Sequence, residues 1–398
     1  MSMASLTPHG GESREWRVPG GGGFAAREYT ASIPPSLGSA TISLASETAE
    51  ECALAGIEFT VASRARRGGS ADIKAARLLL VRAEALASCQ LDGHMANGSE
   101  LAKSQAGLPS TRNARLAGVG VEAFTSHIAA ADRALGLGAI AAAHTAPTKV
   151  AGKRRVARYR TAQTWLGGSD LWPLGADYVP PRPERVPALM DDLVEFCARM
   201  DIDPITQSAV AHAQLLSIQP FQDANGRAAR ALMNGVWRRR GLAGALVVPI
   251  SAAIAGDRRR YDSAWHAYRK GDVDPMVSLV ARHSLRSITE ATASADRLAL
   301  MPQVWAAAAR PRRGSAAHAL IDLLSSHPLV TATDVMRLTG VSQSSAYEAI
   351  VRLADAGVLR RLSVLRRDTV WMAGDVIDEA DRVVANLSRI PVRRPATA

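Results

Sequence analysis

Residues 217–232 read SIQPFQDANGRAARAL, and within them an acid, an Asn-Gly pair and two arginines three apart run into a helical pattern. Small residues at Ala224 and Gly226, with Asn225 between them, let successive backbone N–H groups converge on one point, where a helix dipole reinforces them. Such a turn binds anions, and phosphate is its natural guest. Arg227 and Arg230 are spaced to reach different phosphates from the first helical turn. Asp223, just ahead of the turn, is placed to hold Mg²⁺, an ion that commonly bridges one or two carboxylates and nucleotide phosphates. Taken singly, Asn-Gly marks a turn and an Asp before a helix caps it; the combination is what points to a phosphate site. Gln219 offers a neutral amide where a proton acceptor would be useful: it can orient a hydroxyl but takes no proton at ordinary pH.

The chain that must position these residues has 398 residues, of which 47% are hydrophobic, enough for two or more compact domains. A net charge of +11 favours acidic partners such as nucleic acid or nucleotide, although much of the abundant arginine fits solvated helix surface. Cys52, Cys89 and Cys197 lie far apart with no C-x-x-C spacing, which argues against a zinc site and a disulfide framework and fits a reducing compartment. The N-terminus lacks a basic segment followed by an apolar run, and no stretch approaches the length of a spanning helix. These features read as a cytoplasmic protein with no membrane segment.

Along the chain, residues 1–25 are rich in glycine and polar residues and read as a mobile N-terminal arm. Residues 26–115 form an N-terminal helical segment, with apolar positions at helical spacing through ADIKAARLLLVRAEALAS. Lys103 to Gly120, mixing Gly, Pro, Ser and Asn, reads as a loop. Residues 116–290 form the core. Within it, Val156 to Pro183 has the aromatic, Gly-Gly and Pro-Pro texture of a short hairpin or flap, followed by helices at VPALMDDLVEFCARM and PITQSAVAHAQLLSI. A break at RPRRGSA near Arg310 precedes a third region over 310–375, and 376–398 reads as a basic tail.

QPFQDANGRAAR resembles the signature of the Fic (Fido) family, H-P-F-x-D/E-G/A-N-G-R-x-x-R, at every specified position except the first, where Gln219 replaces histidine. The likeness extends to AHAQLLSIQPF, to the flap-like YRTAQTWLGG and YVPPRPERV, and to LVVPISAAIAGDRRRYDSAWHAYRKGD, covering roughly Glu28 to Ser287. It implies a mainly α fold: a Fic/Fido helical core with a short β-hairpin flap. It also implies Mg-ATP binding and transfer of AMP to a hydroxyl of a target protein, with the histidine as general base. Carried over by position, Asp223 binds the metal, Ala224, Asn225 and Gly226 form the anion nest, and Arg227 and Arg230 hold the outer phosphates. With Gln219 in the base position, the expectation is impaired catalysis with nucleotide binding retained; losing a positioned base typically costs about 10²- to 10⁴-fold. His212, on the preceding helix, reads as a packed, hydrogen-bonded histidine and not as a replacement base.

Upstream, AEALASCQLDG resembles the S/T-x-x-x-E-G/N motif of family members with an inhibitory helix, placing Ser88, Asp92 and Gly93 at its specified positions. Asp92 stands where that motif has glutamate, one methylene longer. Asp92-Gly93 equally fits the end of a helix.

TATDVMRLTGVSQSSAYEAIVRLADAGVLRR resembles a winged helix-turn-helix. Ser342 would cap a helix whose Ala346, Ala349, Ile350 and Leu353 form the packing stripe. Gln343, Ser344, Ser345 and Tyr347 would face a groove, and Arg360, Arg361, Arg366 and Arg367 would line a wing near phosphates. Such domains also serve as protein-contact or dimerisation modules, so duplex DNA and a homodimer stand beside ATP and an unidentified target protein as partners. The alternative function is therefore a nucleotide-sensing, DNA-associated regulator acting without catalysis; a third reading is transfer of another phosphate-containing group by the same nest.

Overall fold

A computed structural model describes residues 6–18, 25–65, 71–145, 158–242, 244–364 and 369–389. The fold is mainly helical, and the chain divides into two compact units, each assembled from three separate stretches. The first unit takes residues 1–57, 123–242 and 258–282; the second takes 58–122, 243–257 and 283–398. Among the described residues no helix is long and apolar enough to cross a membrane.

The first unit combines a largely exposed antiparallel pair of strands with a set of helices around one buried helix. Strands β1 (Gly10–Trp16) and β2 (Arg27–Ile33) pair from Gly10–Ile33 to Trp16–Arg27. Helix α1 (Ser46–Ala65) begins in this unit, and α2 (Ala71–Leu91), α3 (Gly98–Gln105) and α4 (Arg112–Ala131) come next in the chain. Helices α5 (Leu137–Thr145), α6 (Val186–Ala198), α7 (Pro204–Ile218) and α8 (Asn225–Arg239) then build the core, with α7 packed on both α6 and α8.

Helix α7 starts where it does because Asp203 caps it, accepting from the Ile205 and Thr206 amides at 3.0 and 2.9 Å, while Pro204 occupies a first-turn position that needs no amide donor. From Ile205 onward every residue of α7 is buried. Its polar side chains therefore carry their own partners: His212 Nε2 meets Tyr261 Oη at 3.0 Å, Gln214 accepts from Tyr268 Oη at 2.7 Å, and Trp265 Nε1 donates to Ser217 Oγ at 3.1 Å. Tyr261, Trp265 and Tyr268 come from α10 (Arg258–Arg269).

In the second unit, α9 (Ile250–Gly256) and α15 (Gly374–Ser388) pack on α2, and α15 also meets α3. The buried carboxylate of Glu84 on α2 accepts from the Ser251 amide at 3.0 Å, capping α9. Helix α11 (Asp274–Ala309) ends at Arg310, which has φ of 43°. Beyond it come α12 (Ala316–Leu324), β3 (Leu329–Val330), α13 (Ala332–Thr339), α14 (Gln343–Asp355), β4 (Leu359–Val364) and β5 (Thr369–Ala373), the strands forming a sheet of order β3-β5-β4. Thr331 and Asp334 form a reciprocal capping box on α13, Gly340 ends it at φ 72°, and Ala346, Ala349, Ile350 and Leu353 are the buried face of α14.

Four sequence expectations need correcting. The mobile arm over 1–25 contains β1. Trp16, from that strand, packs edge-on against Trp165 at 5.1 Å and donates from Nε1 to Leu171 O at 2.9 Å, so its order comes from residues about 150 positions away. The loop from Lys103 to Gly120 shrinks to residues 106–111, because Gly118 and Gly120 lie inside α4. There they act as packing residues: a Cβ on Gly118 would come within 3.0 Å of Ser104 Oγ. The hairpin expected between Val156 and Pro183 has a single isolated bridge, Leu166 to Tyr178, among its described residues, with Gly167, Gly168 and Gly175 at positive φ breaking any ladder. The basic tail at 376–398 begins as α15, whose Val376, Ile377, Ala380, Val383, Val384 and Leu387 are buried; the tail's basic end, 390–398, lies outside the described residues.

Candidate nucleotide site

The phosphate-type motif forms the loop between α7 and α8, and both of its ends are non-glycine residues in the left-handed region. Gln219 terminates α7 at φ 48°, its amide bonded back to Leu215 O at 3.0 Å, and Ala224 opens α8 at φ 57°. That conformation costs an L-residue roughly 1 kcal/mol, so something must over-determine the loop. Asn225 does: its Oδ1 accepts from Phe221 N and its Nδ2 donates to Phe221 O, both at 2.9 Å, closing the turn with one buried side chain. The Asn225 side chain is thus committed to the loop, and the nest it belongs to is made of backbone.

The α8 N-terminus has no side-chain cap, which leaves its first amides to the turn and whatever it meets. Gly226 and Arg227 are half-buried in the first helical turn, and Arg230, 4% exposed, lies one turn inward. Asp223 projects outward with its side chain 73% exposed. Gln219 is buried beneath the loop.

Two residues that contact the loop escaped the sequence reading. Arg160 is buried and donates from Nε to Gln219 O at 2.7 Å, from Nη1 to Ala162 O at 3.2 Å, and from Nη2 to Pro181 O and to Ile218 O, the last at 3.4 Å. The Arg160 amide also donates to Pro220 O at 2.9 Å. One guanidinium therefore gathers carbonyls from the 162–181 stretch and from the end of α7, and burial lowers its pKa to about 10. The visible signal was the arginine in YRTAQTWLGG, whose partners are scattered along the sequence. His144, near the end of α5, stacks on Phe221 with ring centroids 4.1 Å apart and places Nε2 3.1 Å from Asp223 Oδ1, so its ring donates there. Nothing in its local sequence announces that contact.

His212 is fully buried, and burial, with Arg230 nearby, lowers its pKa to about 4. Together with its Tyr261 bond this makes it a neutral packing residue.

The remaining sequence-selected residues lie in the second unit. Ser88 is buried in the last turn of α2. Asp92 is exposed just past the helix end, and Gly93 closes that end at φ 83° with its amide on Gln90 O at 3.0 Å. On α14, Gln343, Ser344 and Tyr347 are exposed and Ser345 is half-buried. Arg360 is exposed but paired with Asp378, Arg361 is exposed, and Arg366 and Arg367 lie outside the described residues.

A hard divalent cation fits this donor set only as an ion shared with phosphate. Asp223 offers an outward carboxylate, one oxygen of which His144 occupies, and among the described residues no group of three or more His, Cys, Asp or Glu side chains forms a self-contained cage.

Residues 137–236 match the Fic/DOC family model, a narrower stretch than the motifs alone suggested. Over 134 residues the chain is 34% identical to protein adenylyltransferase fic-1 of Caenorhabditis elegans, a match covering 33% of this chain and 23% of the relative. Over 140 residues it is 32% identical to protein adenylyltransferase Fic of Nematostella vectensis, covering 34% of this chain and 29% of that one. The chain thus spans about a quarter of the length of these curated relatives. It shares its fold with a Fic family protein from Desulfovibrio desulfuricans G20, at a TM-score of 0.51 and 16% identity, over 83% of this chain and 97% of the other. The stretch that carries the α7–α8 turn, residues 137–236, is thus the part of the chain that is similar to the Fic/DOC family.

Proposed function

We propose that this chain binds Mg-ATP at the α7–α8 turn in the manner of a protein adenylyltransferase and that its transfer step is depressed by Gln219. The observation that carries the reading is the turn itself: a loop held by Asn225 and Arg160 that leads, with no side-chain cap, into a helix bearing Arg227 and Arg230. Backbone amides of 224–226 would receive phosphate oxygens, and the two arginines would neutralise the outer phosphates. Asp223, oriented by His144, would hold the Mg²⁺, which when bound supplies charge neutralisation at the phosphates.

In AMP transfer a target hydroxyl attacks the α-phosphorus, pyrophosphate leaves as the Pα–O bond breaks, and the hydroxyl proton must go to an acceptor. Gln219 positions that hydroxyl without taking its proton. Residual transfer then rests on orientation and charge stabilisation alone.

Calorimetry with ATP and Mg²⁺ and labelling with α-labelled ATP test this together. Both the native chain and Gln219→His should bind ATP, and labelling should rise by about 10²- to 10⁴-fold in the variant. Absence of ATP binding in both removes the reading. The inhibitory role that resemblance assigns to Ser88, Asp92 and Gly93 is tested in the same assay: Asp92→Gly in the Gln219→His background raises labelling further on that reading, and an unchanged rate removes it.

The region from α12 to β5 has the element order of a winged helix-turn-helix, and we read it as a protein-contact module. Its wing arginine Arg360 is engaged by Asp378, and the outer face of α14 carries Glu348 and Asp355, an arrangement that disfavours phosphate.

A further inference from the structure

The outer face of α14 and the end of α11 form a patch that the nucleotide site does not use. On α11, Leu300 and Val304 are 60% and 62% exposed; on α14, Tyr347 and Val351 are 48% and 54% exposed. Each pair is four residues apart and so shares one helix face. Ala308, next on the Leu300–Val304 face, lines an open groove of about 1040 Å³ that runs between the end of α11, the start of α12 and the outer face of α14. Tyr347 and Val351 border the same groove. Exposed apolar side chains clustered at a groove, and not scattered singly, mark an interaction surface.

The charge of the groove says what covers it. In a chain of net charge +11, this groove is balanced: Arg312 and Arg352 line it together with Glu348 and Asp355. Among the described residues none of the four is in an ion pair, and Arg352 makes one long contact, Nη1 to Ala309 O at 3.4 Å. Duplex DNA would set phosphates against Glu348 and Asp355, and a uniformly acidic or basic protein would satisfy one pair while repelling the other. A surface with both signs, an apolar ridge and a groove in one patch is complementary to a copy of itself turned by a two-fold axis.

We propose that this face is the isologous interface of a homodimer, in which the Tyr347–Val351 ridge of each chain enters the groove of the other and each chain's arginines meet its partner's acids. The interface is independent of the nucleotide reading, since it uses none of its residues.

Sedimentation equilibrium on the full chain across the micromolar range tests it. The native chain should dimerise, and Tyr347→Asp or Val351→Asp should weaken association by at least about tenfold. Two further variants are independent of pairing register. One carries Glu348→Arg and Asp355→Arg, the other Arg312→Glu and Arg352→Glu. Each should be monomeric alone, and an equimolar mixture should form a heterodimer, a rescue that damaged folding cannot imitate. Should either charge variant fail to fold, Tyr347→Ala, with an unchanged thermal melt and reduced association, carries the same test. A native chain that stays monomeric over this range, dimers indifferent to Tyr347 and Val351, or salt-dependent duplex binding that Tyr347→Asp abolishes would each overturn the proposal.

Discussion

Histidine, asparagine and aspartate enter the left-handed backbone region more readily than most non-glycine residues, and Gln219 occupies that region at φ 48° and ψ 62°. An imidazole placed there by substitution inherits a backbone already set for it, with Arg160 on the residue's carbonyl, so Gln219→His tests chemistry with little change in folding. A β-branched residue at the same position would report strain instead. His212 illustrates the opposite case, a histidine whose environment has removed its proton chemistry. In the fold it stays neutral down to about pH 4, whereas once unfolded it takes a proton below its ordinary value near 6.5. Between those values the unfolded chain binds more protons than the folded one, so stability rises with pH in that window and is flat above it. Acidification from about pH 7 to about pH 4.5 should therefore cost on the order of 3 kcal/mol at this residue. Urea unfolding of the native chain and His212→Gln at both pH values checks it; equal pH slopes would show that His212 does not carry the effect. The site's residue types and spacing were legible because Asp223, Arg227 and Arg230 are adjacent in sequence. Arg160 and His144 were not, because their meaning lies in Pro181, Gln219, Phe221 and Asp223, far along the chain.

Helices with clean starts and continuous apolar spacing were readable as elements: α6 with Pro187 in its first turn, α7 behind Asp203, and α14 behind Ser342. Elements ordered from outside were not. Strand β1 looks like an arm because a glycine run comes after it, and the first half of α4 looks like a loop because its glycines serve contact instead of flexibility. A two-stranded ribbon is marginal on its own, which makes β1 and β2 dependent on Trp16 with Trp165, Tyr29 and Leu171, and on Glu12 with Arg185 at 2.8 Å. Trp16→Ala should release residues 10–16 and 27–33 to rapid amide exchange while α7 and α8 keep their protection. Mass-spectrometric exchange reads this directly, and an unchanged ribbon would mean that the aromatic cluster is not what orders it.

At the scale of the whole molecule, each compact unit is made of three separate stretches of chain. The break at Arg310 is real as the end of α11, yet the chain beyond it includes α15, which covers α2, α3 and α9. Arg297 also reaches from α11 to Glu379 at 2.9 Å, a carboxylate buried within α15. Ending the chain at Ala309 should strip that cover. The apolar residues lost from α15 alone correspond to roughly 10 kcal/mol of burial, about the whole stability of a typical domain. Soluble yield and thermal melting of chains ending at Ala309 and at Arg389 compare the two; a soluble shorter chain with an unaltered melt would show that the second unit does not need α15.

That cover also sets a timetable for biosynthesis. Helix α2 ends at Leu91 and its lid begins at Gly374, so the ribosome must add nearly 300 residues before the two can meet. At typical elongation rates this takes roughly 15–60 s. Throughout it the face of the nascent α2 that α15 covers lacks its lid, a waiting period for which chaperones, and not the native fold, supply the protection.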